Sequence, residues 1–312
     1  MDKVIADFES VIIVHKGALG DFLQTWPSLQ SLTHHCPETQ FFWAGRQSYS
    51  LWTEPLNIAR CPWDIQKTID SLPSRSTWPD KLQNCLIIWF GLYSSPCPTI
   101  ESSHFWFLSG LRSGKYLTPR ELYLEEIQKR GIPAKKKWDI AWQKLIGKRM
   151  PIQSSPKRIL IFPGSGHPSK CWPLEKYKQL AQWLSENSYE VIFVLGPAEI
   201  ERKIKVQNFK HVLCLSLEDL QGHLLKTDFV IGNDSGPLHL AGYFNLPGLS
   251  LFGPTSPCQW GPYNLTSLSL GLTCSPCTQT ASIDCTNPRC MFDISLVQVK
   301  GLVNEMLCNL NQ

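Results

Sequence analysis

Long apolar runs are absent from this 312-residue chain. A helix that crosses a bilayer needs ~20 consecutive apolar residues, and "CLIIWFGLY" (residues 85–93) has only the length of a buried strand. The opening "MDKVIADFES" lacks a basic stretch followed by an apolar one, so no secretory signal is expected. These absences point to a cytoplasmic protein, with room for peripheral contact at the cytoplasmic face of the inner membrane. Charge is scarce as well. Charged residues make up 18% and the formal net charge is +4, too little to argue a nucleic-acid partner from the whole chain. No internal repeat or low-complexity tract stands out, which argues against a solenoid.

What the chain does have is apolar residues in short pieces. Hydrophobic residues reach 43%, enough for a large core and contrary to wholesale disorder. The length suits two domains of roughly 150 residues each. A polar, proline-punctuated stretch, "GKRMPIQSSPKR" (147–158), marks the boundary, giving domains 1–150 and 151–312. In the first half, strands are expected at 11–15, 39–45 and 85–91, with helices over 18–32 and 119–131. Residues 94–115 are rich in Pro, Ser and aromatics without clear period, and read as loops over a site or an acceptor surface. The second half alternates more cleanly: "ILIFPG", "VIFVLG", "HVLCLS", "DFVIG" and "GLSLFG", with helices from 173, 198, 217 and 236 between them. Short apolar strands alternating with helices predict parallel sheets covered on both faces. Ligands then belong at the carboxyl ends of the strands. A last helix over 294–310 has the length to pack back across the junction of the domains.

Charge is unevenly spread. Residues 101–150 hold eleven Lys/Arg against five Asp/Glu, densest in "KRGIPAKKKW". This is either a solvated surface or a patch for an anionic acceptor or membrane surface.

Four segments carry chemistry. In "HKGALGDFLQTWP" (15–27), Gly17 and Gly20 let the backbone turn tightly, and Asp21 falls in the first turn of a helix. The spacing is not the Gly-x-Gly-x-x-Gly of dinucleotide folds. Asp21 either complements the helix dipole or serves as a general base. In "ILIFPGSGHPSKCWPLEKY" (159–177), a Gly-Ser-Gly turn after a strand offers backbone N–H groups and the Ser165 hydroxyl to phosphate oxygens. Lys170 supplies a point charge there, although the Gly-Lys-Ser/Thr order of a Walker A loop is missing. In "VIFVLGPAEIERK" (191–203), Glu199 and Glu201 open a helix, where a carboxylate favours the dipole or accepts from a ribose. Last, "FVIGNDSGPLHLAG" (229–242) sets Asn233, Asp234 and Ser235 between strand and helix. Gly236 and Pro237 begin that helix, whose free N–H groups suit an anion. An N-cap explains one of these polar residues but not the cluster, and His239 lies within the next turn.

Together these segments resemble glycosyltransferase family 9, the ADP-heptose:lipopolysaccharide heptosyltransferases of Gram-negative bacteria. The resemblance lies in "GALGDFLQTWPSL", "FPGSGHPSKCWP", "NDSGPLHLAGYFNLPGLSLFGPTSPCQWGPY" and "CSPC…C…CMFDIS", in that order, and runs from about residue 11 to 300. It implies an α/β protein of the GT-B fold, two Rossmann-like domains with mainly parallel sheets facing each other across a cleft. The first would hold the acceptor and the second the nucleotide sugar. It implies inverting transfer of a heptose from ADP-heptose to a lipopolysaccharide core acceptor, with no cofactor required for catalysis. Asp21 matches the family's base, and Lys170 the lysine on the donor diphosphate, with Ser165 beside it. Glu199 matches an acid near the ribose, with Glu201 as an alternative register. Asp234, Ser235, Gly236, Pro237 and His239 match the donor-binding turn. Another nucleotide sugar, a protein acceptor, or a non-catalytic nucleotide-sugar-binding role are the alternatives. One departure is Cys171, where many relatives carry an arginine after the lysine.

The twelve cysteines mostly scatter singly. Cys274, Cys277, Cys285 and Cys290 cluster, and the two close pairs of thiolates either hold zinc or iron tetrahedrally or form a reduced, loosely packed cluster. A metal bound by all four would be structural, since no open position is left for chemistry.

Overall fold

Central strands buried on both faces form the middle of each half of the molecule. The structure, a computed structural model, describes residues 5–92, 102–112, 117–148, 157–279 and 283–310. The chain divides into two compact units, Met1–Ile146 and Gly147–Gln312. Residues 149–156 of the expected boundary segment lie outside the described residues, as do 94–101 and 113–115 of the expected loop region.

In the first unit the strands are β1 (Ser10–His15), β2 (Gln40–Gly45), β3 (Ile58–Arg60), β4 (Cys85–Gly91) and β5 (Phe105–Ser109). They pair in parallel in the order β3-β2-β1-β4-β5. Helices α1 (Leu19–His35), α2 (Ser50–Thr53), α3 (Trp63–Asp70), α4 (Pro119–Lys129) and α5 (Trp138–Leu145) connect and cover them. Strand β5 corrects the expectation of loops over 94–115. Its sequence, FWFLS, is apolar without alternation, and four of its five side chains are only half-buried, so neither strand pattern was present to read.

The second unit has β6 (Arg158–Phe162), β7 (Glu190–Leu195), β8 (His211–Leu213), β9 (Phe229–Asn233), β10 (Gly248–Phe252) and β11 (Thr266–Ser269). Their order is β11-β10-β9-β6-β7-β8, again wholly parallel. Its helices are α6 (Leu174–Glu186), α7 (Pro197–Glu201), α8 (Leu217–Leu225), α9 (Gly236–Tyr243), α10 (Pro257–Trp260), α11 (Arg289–Phe292) and α12 (Leu296–Asn309). The core collects Ile159 and Ile161 of β6, Phe229 and Ile231 of β9, and Leu180 and Leu184 of α6. The terminal helix spends its buried stripe, Val299, Val303 and Leu307, on this same core. Trp172 locks that corner, donating its indole N–H to the Ile294 carbonyl at 3.0 Å and standing edge-on to Tyr177.

Strand order decides where a ligand fits. Connections run one way from β6 to β7 and β8, and the other way from β9 to β10 and β11. The loops leaving β6 and β9 therefore part at their carboxyl ends, opening the crevice in which parallel sheets bind ligands.

Candidate active site

Asn233 closes β9, and its side chain is spent on structure. Its Oδ1 accepts from the Trp172 amide and the Tyr177 hydroxyl, each at 2.9 Å. Its Nδ2 donates to the carbonyls of Pro163 at 2.9 Å and Gly164 at 3.2 Å. One buried amide thus ties the β6 loop, the start of α6 and β9 together.

Asp234 follows, only 5% exposed. Its Oδ2 receives the Lys170 ammonium at 2.5 Å and the Thr255 hydroxyl at 2.7 Å, and His239 Nε2 lies 3.8 Å from Oδ1. Burial by itself would raise this carboxyl's pKa, but Lys170 and His239 outweigh it and hold it down at about 2. Ser165 donates its hydroxyl proton to the Asp234 carbonyl at 2.6 Å, so it bridges the two loops. Ser235 makes no side-chain cap bond at the start of α9, and its buried Oγ has no hydrogen-bond partner among the described residues. Capping therefore does not account for this serine. Gly236 and Pro237 occupy the first turn of α9, where amides lack intrahelical partners.

Helix α7 reaches into the β6 loop from one strand over. Of the two acids considered there, Glu199 is the one turned inward, while Glu201 is exposed. Its Oε2 accepts from the Gly196 amide at 2.8 Å, and its other oxygen lies so close to Gly164 that a Cβ at that position would collide with it. Arg202, which the sequence reading passed over, donates to the carbonyls of Ser165 at 2.7 Å and Gly166 at 3.1 Å. Because a peptide unit is planar, fixing those carbonyls turns the amides of Gly166 and His167 the opposite way. Among the described residues those two amides donate to no protein acceptor. The result is a nest of N–H groups with Lys170 beside it, the composition of a phosphate site. Arg202 also supplies positive charge near Cys171, whose thiol is pushed up by burial and drawn partly back by that guanidinium. Arg202 and Thr255 were missed because each lies on a neighbouring element rather than in the turn itself.

In the first unit, Gly17, Gly20 and Asp21 bridge β1 and α1, with Gly20 and Asp21 in the helix's first turn. Asp21 Oδ2 accepts from the Ala18 amide at 3.1 Å. A Cβ on Gly17 would sit 2.8 Å from His15 Cε1 and 2.9 Å from Asp21 Oδ2, so glycine is required for the imidazole and carboxylate to flank this turn. His15 is 2% exposed. Burial, with Arg46 nearby, drives its pKa down to about 3, so it is neutral. Tyr49 donates to the Gly17 carbonyl at 3.4 Å, and its own pKa is pushed up to about 12 by burial.

The cysteine expectation needs correction. Cys274, Cys277, Cys285 and Cys290 are free thiols, the first three exposed. The other three act electrostatically on Cys290, whose thiol is raised chiefly by burial. They are neighbours, yet among the described residues no three His, Cys, Asp or Glu side chains converge closely enough to hold a metal ion. The residues as placed do not fit the tetrahedral site that their spacing allows. Cys277 donates its amide to the Pro254 carbonyl, the Cys285 carbonyl accepts from the Ser169 hydroxyl, and Cys290 packs on Gly253.

Comparison with known proteins agrees with this arrangement. Residues 120–289, more than half of the chain, match the family described as glycosyltransferase family 9 (heptosyltransferase). The chain is similar to the lipopolysaccharide core heptosyltransferase OpsX of Haemophilus influenzae, 23% identical over 300 residues and 82% of each protein. Among solved structures it resembles the E. coli heptosyltransferase WaaC with ADP, at 17% identity and a TM-score of 0.64 over 95% of this chain and 99% of that one. It also resembles TibC, an iron-containing dodecameric glycosyltransferase of enterotoxigenic E. coli, at 14% identity and a TM-score of 0.64 over 98% of this chain and 80% of that one. Two parallel α/β units in tandem are the GT-B fold of a glycosyltransferase, and the chain belongs to glycosyltransferase family 9.

Proposed function

We propose that the protein transfers a heptose, with inversion, from ADP-heptose to a hydroxyl of a lipopolysaccharide-core acceptor. One observation carries the donor half: Lys170, the unpartnered Ser235 hydroxyl and the first turn of α9 meet at the carboxyl ends of β6 and β9. The diphosphate competes with Asp234 for the Lys170 ammonium and takes the amides of Gly166 and His167. Glu199, held over Gly164, accepts from the ribose. In the first unit Asp21 takes the acceptor's proton while the acceptor oxygen bonds to the anomeric carbon and the bond from that carbon to the diphosphate breaks. Charge growing on the departing ADP is offset by Lys170 and the positive end of α9.

A membrane-side location is part of this reading. The cations of Arg112, Lys129 and Arg130 are spent on Glu125 and Glu126, so they do not form the basic patch. Lys136, Lys137, Lys144 and Lys148 are exposed around α5, together with Ile140 and Leu145. Cations beside exposed apolar side chains suit the anionic inner leaflet. Among the described residues no helix is long and apolar enough to cross a membrane.

Thermal shift with ADP, UDP and GDP sugars tests the donor. Stabilisation by the ADP sugar supports the reading, and stabilisation only by another nucleotide overturns it. Asp21→Ala tests the chemistry: transfer is expected to collapse while ADP binding survives, and unchanged transfer removes Asp21 from the mechanism.

A further inference from the structure

Two donors meet on one oxygen of Asp234. The Lys170 ammonium lies 2.5 Å from Oδ2, and the Thr255 hydroxyl donates to the same atom at 2.7 Å. Thr255 is 2% exposed and lies three residues beyond β10, the strand that pairs with β9. The chain just before it is fixed from behind. The Gly253 carbonyl accepts from the Ser275 hydroxyl, and the Pro254 carbonyl accepts the amides of Cys277 at 2.9 Å and Thr278 at 3.3 Å. Ser169, the neighbour of Lys170, donates its hydroxyl to the Cys285 carbonyl at 3.0 Å. The chain that follows β11 therefore backs both partners of Oδ2.

The two partners differ in reach. A lysine carries its charge on a flexible four-carbon stem, whereas the threonine hydroxyl turns on one stiff bond from a buried backbone. Only the lysine can move. A diphosphate that takes the ammonium strips the cation from a carboxylate that is 5% exposed, and breaking a buried pair in this way is strongly unfavourable. Thr255 then stays on Oδ2, and His239 Nε2 stays 3.8 Å from Oδ1. A hydroxyl bonds more strongly to an ionised oxygen that shares its charge with no cation. Thr255 thus stabilises Asp234 more after the lysine has left than before, which lowers the cost of leaving.

We propose that Thr255 is a positioning residue for donor binding, holding Asp234 ionised and in place while Lys170 exchanges that carboxylate for the diphosphate. The inference rests on the donor reading of the Lys170 site and deepens it by naming the group that lets the lysine go. Thr255 acts through Asp234 and touches no phosphate in this scheme.

The test compares ADP with adenosine, which lacks the diphosphate, by calorimetry on the full chain. Wild type is expected to bind ADP more tightly than adenosine. Thr255→Val removes the hydroxyl and should weaken ADP about ten-fold, the scale of one hydrogen bond to a charged group, with adenosine unchanged. Thr255→Ser restores the hydroxyl and should recover most of the ADP affinity. On an Asp234→Ala background the acceptor is gone, so Thr255→Val should cost ADP nothing further. Thermal unfolding shows that each variant is folded before it is titrated, and the adenosine and serine comparisons stand without the double variant. Equal weakening of ADP and adenosine, no loss of ADP affinity in Thr255→Val, no recovery in Thr255→Ser, or the same loss repeated on the Asp234→Ala background overturns the proposal. A wild type that binds ADP no more tightly than adenosine overturns the donor reading instead.

Discussion

Two turns in this molecule share a plan and differ in tuning. After β1 and again after β9, a buried strand ends, the chain turns with the help of glycine, and a helix starts beside an aspartate. Asp234 in the second turn is buried, paired with Lys170 and bonded by Thr255. Asp21 in the first turn is half-exposed, takes the Ala18 amide and stands by a neutral imidazole. A carboxylate held at a pKa of about 2 by a cation is an anchor, since it gives up negative charge to nothing near neutral pH. The same local grammar therefore yields a buried, cation-paired carboxylate in one unit and a half-exposed carboxylate on a backbone amide in the other, and the neighbours decide which.

The comparison can be broken at either turn. The largest effect belongs to Asp21→Asn, expected to slow transfer by about 10²–10⁴-fold, the range for loss of a general base, with ADP affinity unchanged. Comparable loss of ADP affinity would move Asp21 out of the base role. Next comes Lys170→Ala, which strands a buried carboxylate and should cost about 3 kcal/mol of stability, read by urea denaturation. A cost near zero would mean Asp234 is not anchored by that cation. Acid sharpens the same point. Asp234 ionises at about 2 in the fold against about 3.9 in an unfolded chain. Its contribution, on the order of 2 kcal/mol, is complete above pH ~4 and lost as pH falls through about 2. Asp234→Asn should therefore flatten that part of the stability profile.

Smaller effects probe what surrounds the anchor. Arg202→Gln frees the carbonyls of Ser165 and Gly166 and should weaken ADP binding about ten-fold, as expected for loss of charge-assisted bonds. Adding Cys171→Arg to that variant should restore part of the affinity, because the new guanidinium lies beside the same loop. No recovery would show that Arg202 acts through loop geometry rather than charge. Ser235→Ala is the mildest. It removes a hydroxyl with no protein partner, so stability should hold within about 0.5 kcal/mol, and calorimetry should show only a few-fold weaker ADP binding, about 1 kcal/mol.

Much of this was legible in the sequence, for identifiable reasons. β6 and β9 are near-continuous apolar runs bounded by glycine and proline, and both turns carry more polar residues than a cap requires. β3 and β11 were not legible: one has three residues, the other is half serine, and neither shows a period. Asn233 was visible as part of a polar cluster, yet its work is structural, which no spacing rule distinguishes from ligand binding. Arg202 looked like one more cation at the end of a helix. The cysteines show the opposite case, a pattern with metal-like spacing for which no metal-holding group is found among the described residues.

Asn233 has a further consequence. Because one amide side chain joins the β6 loop, the start of α6 and the end of β9, these three segments behave as a single casting. Drift in one of them without the others would leave several buried polar groups unsatisfied. That makes Asn233 the residue to leave untouched when either loop is re-engineered.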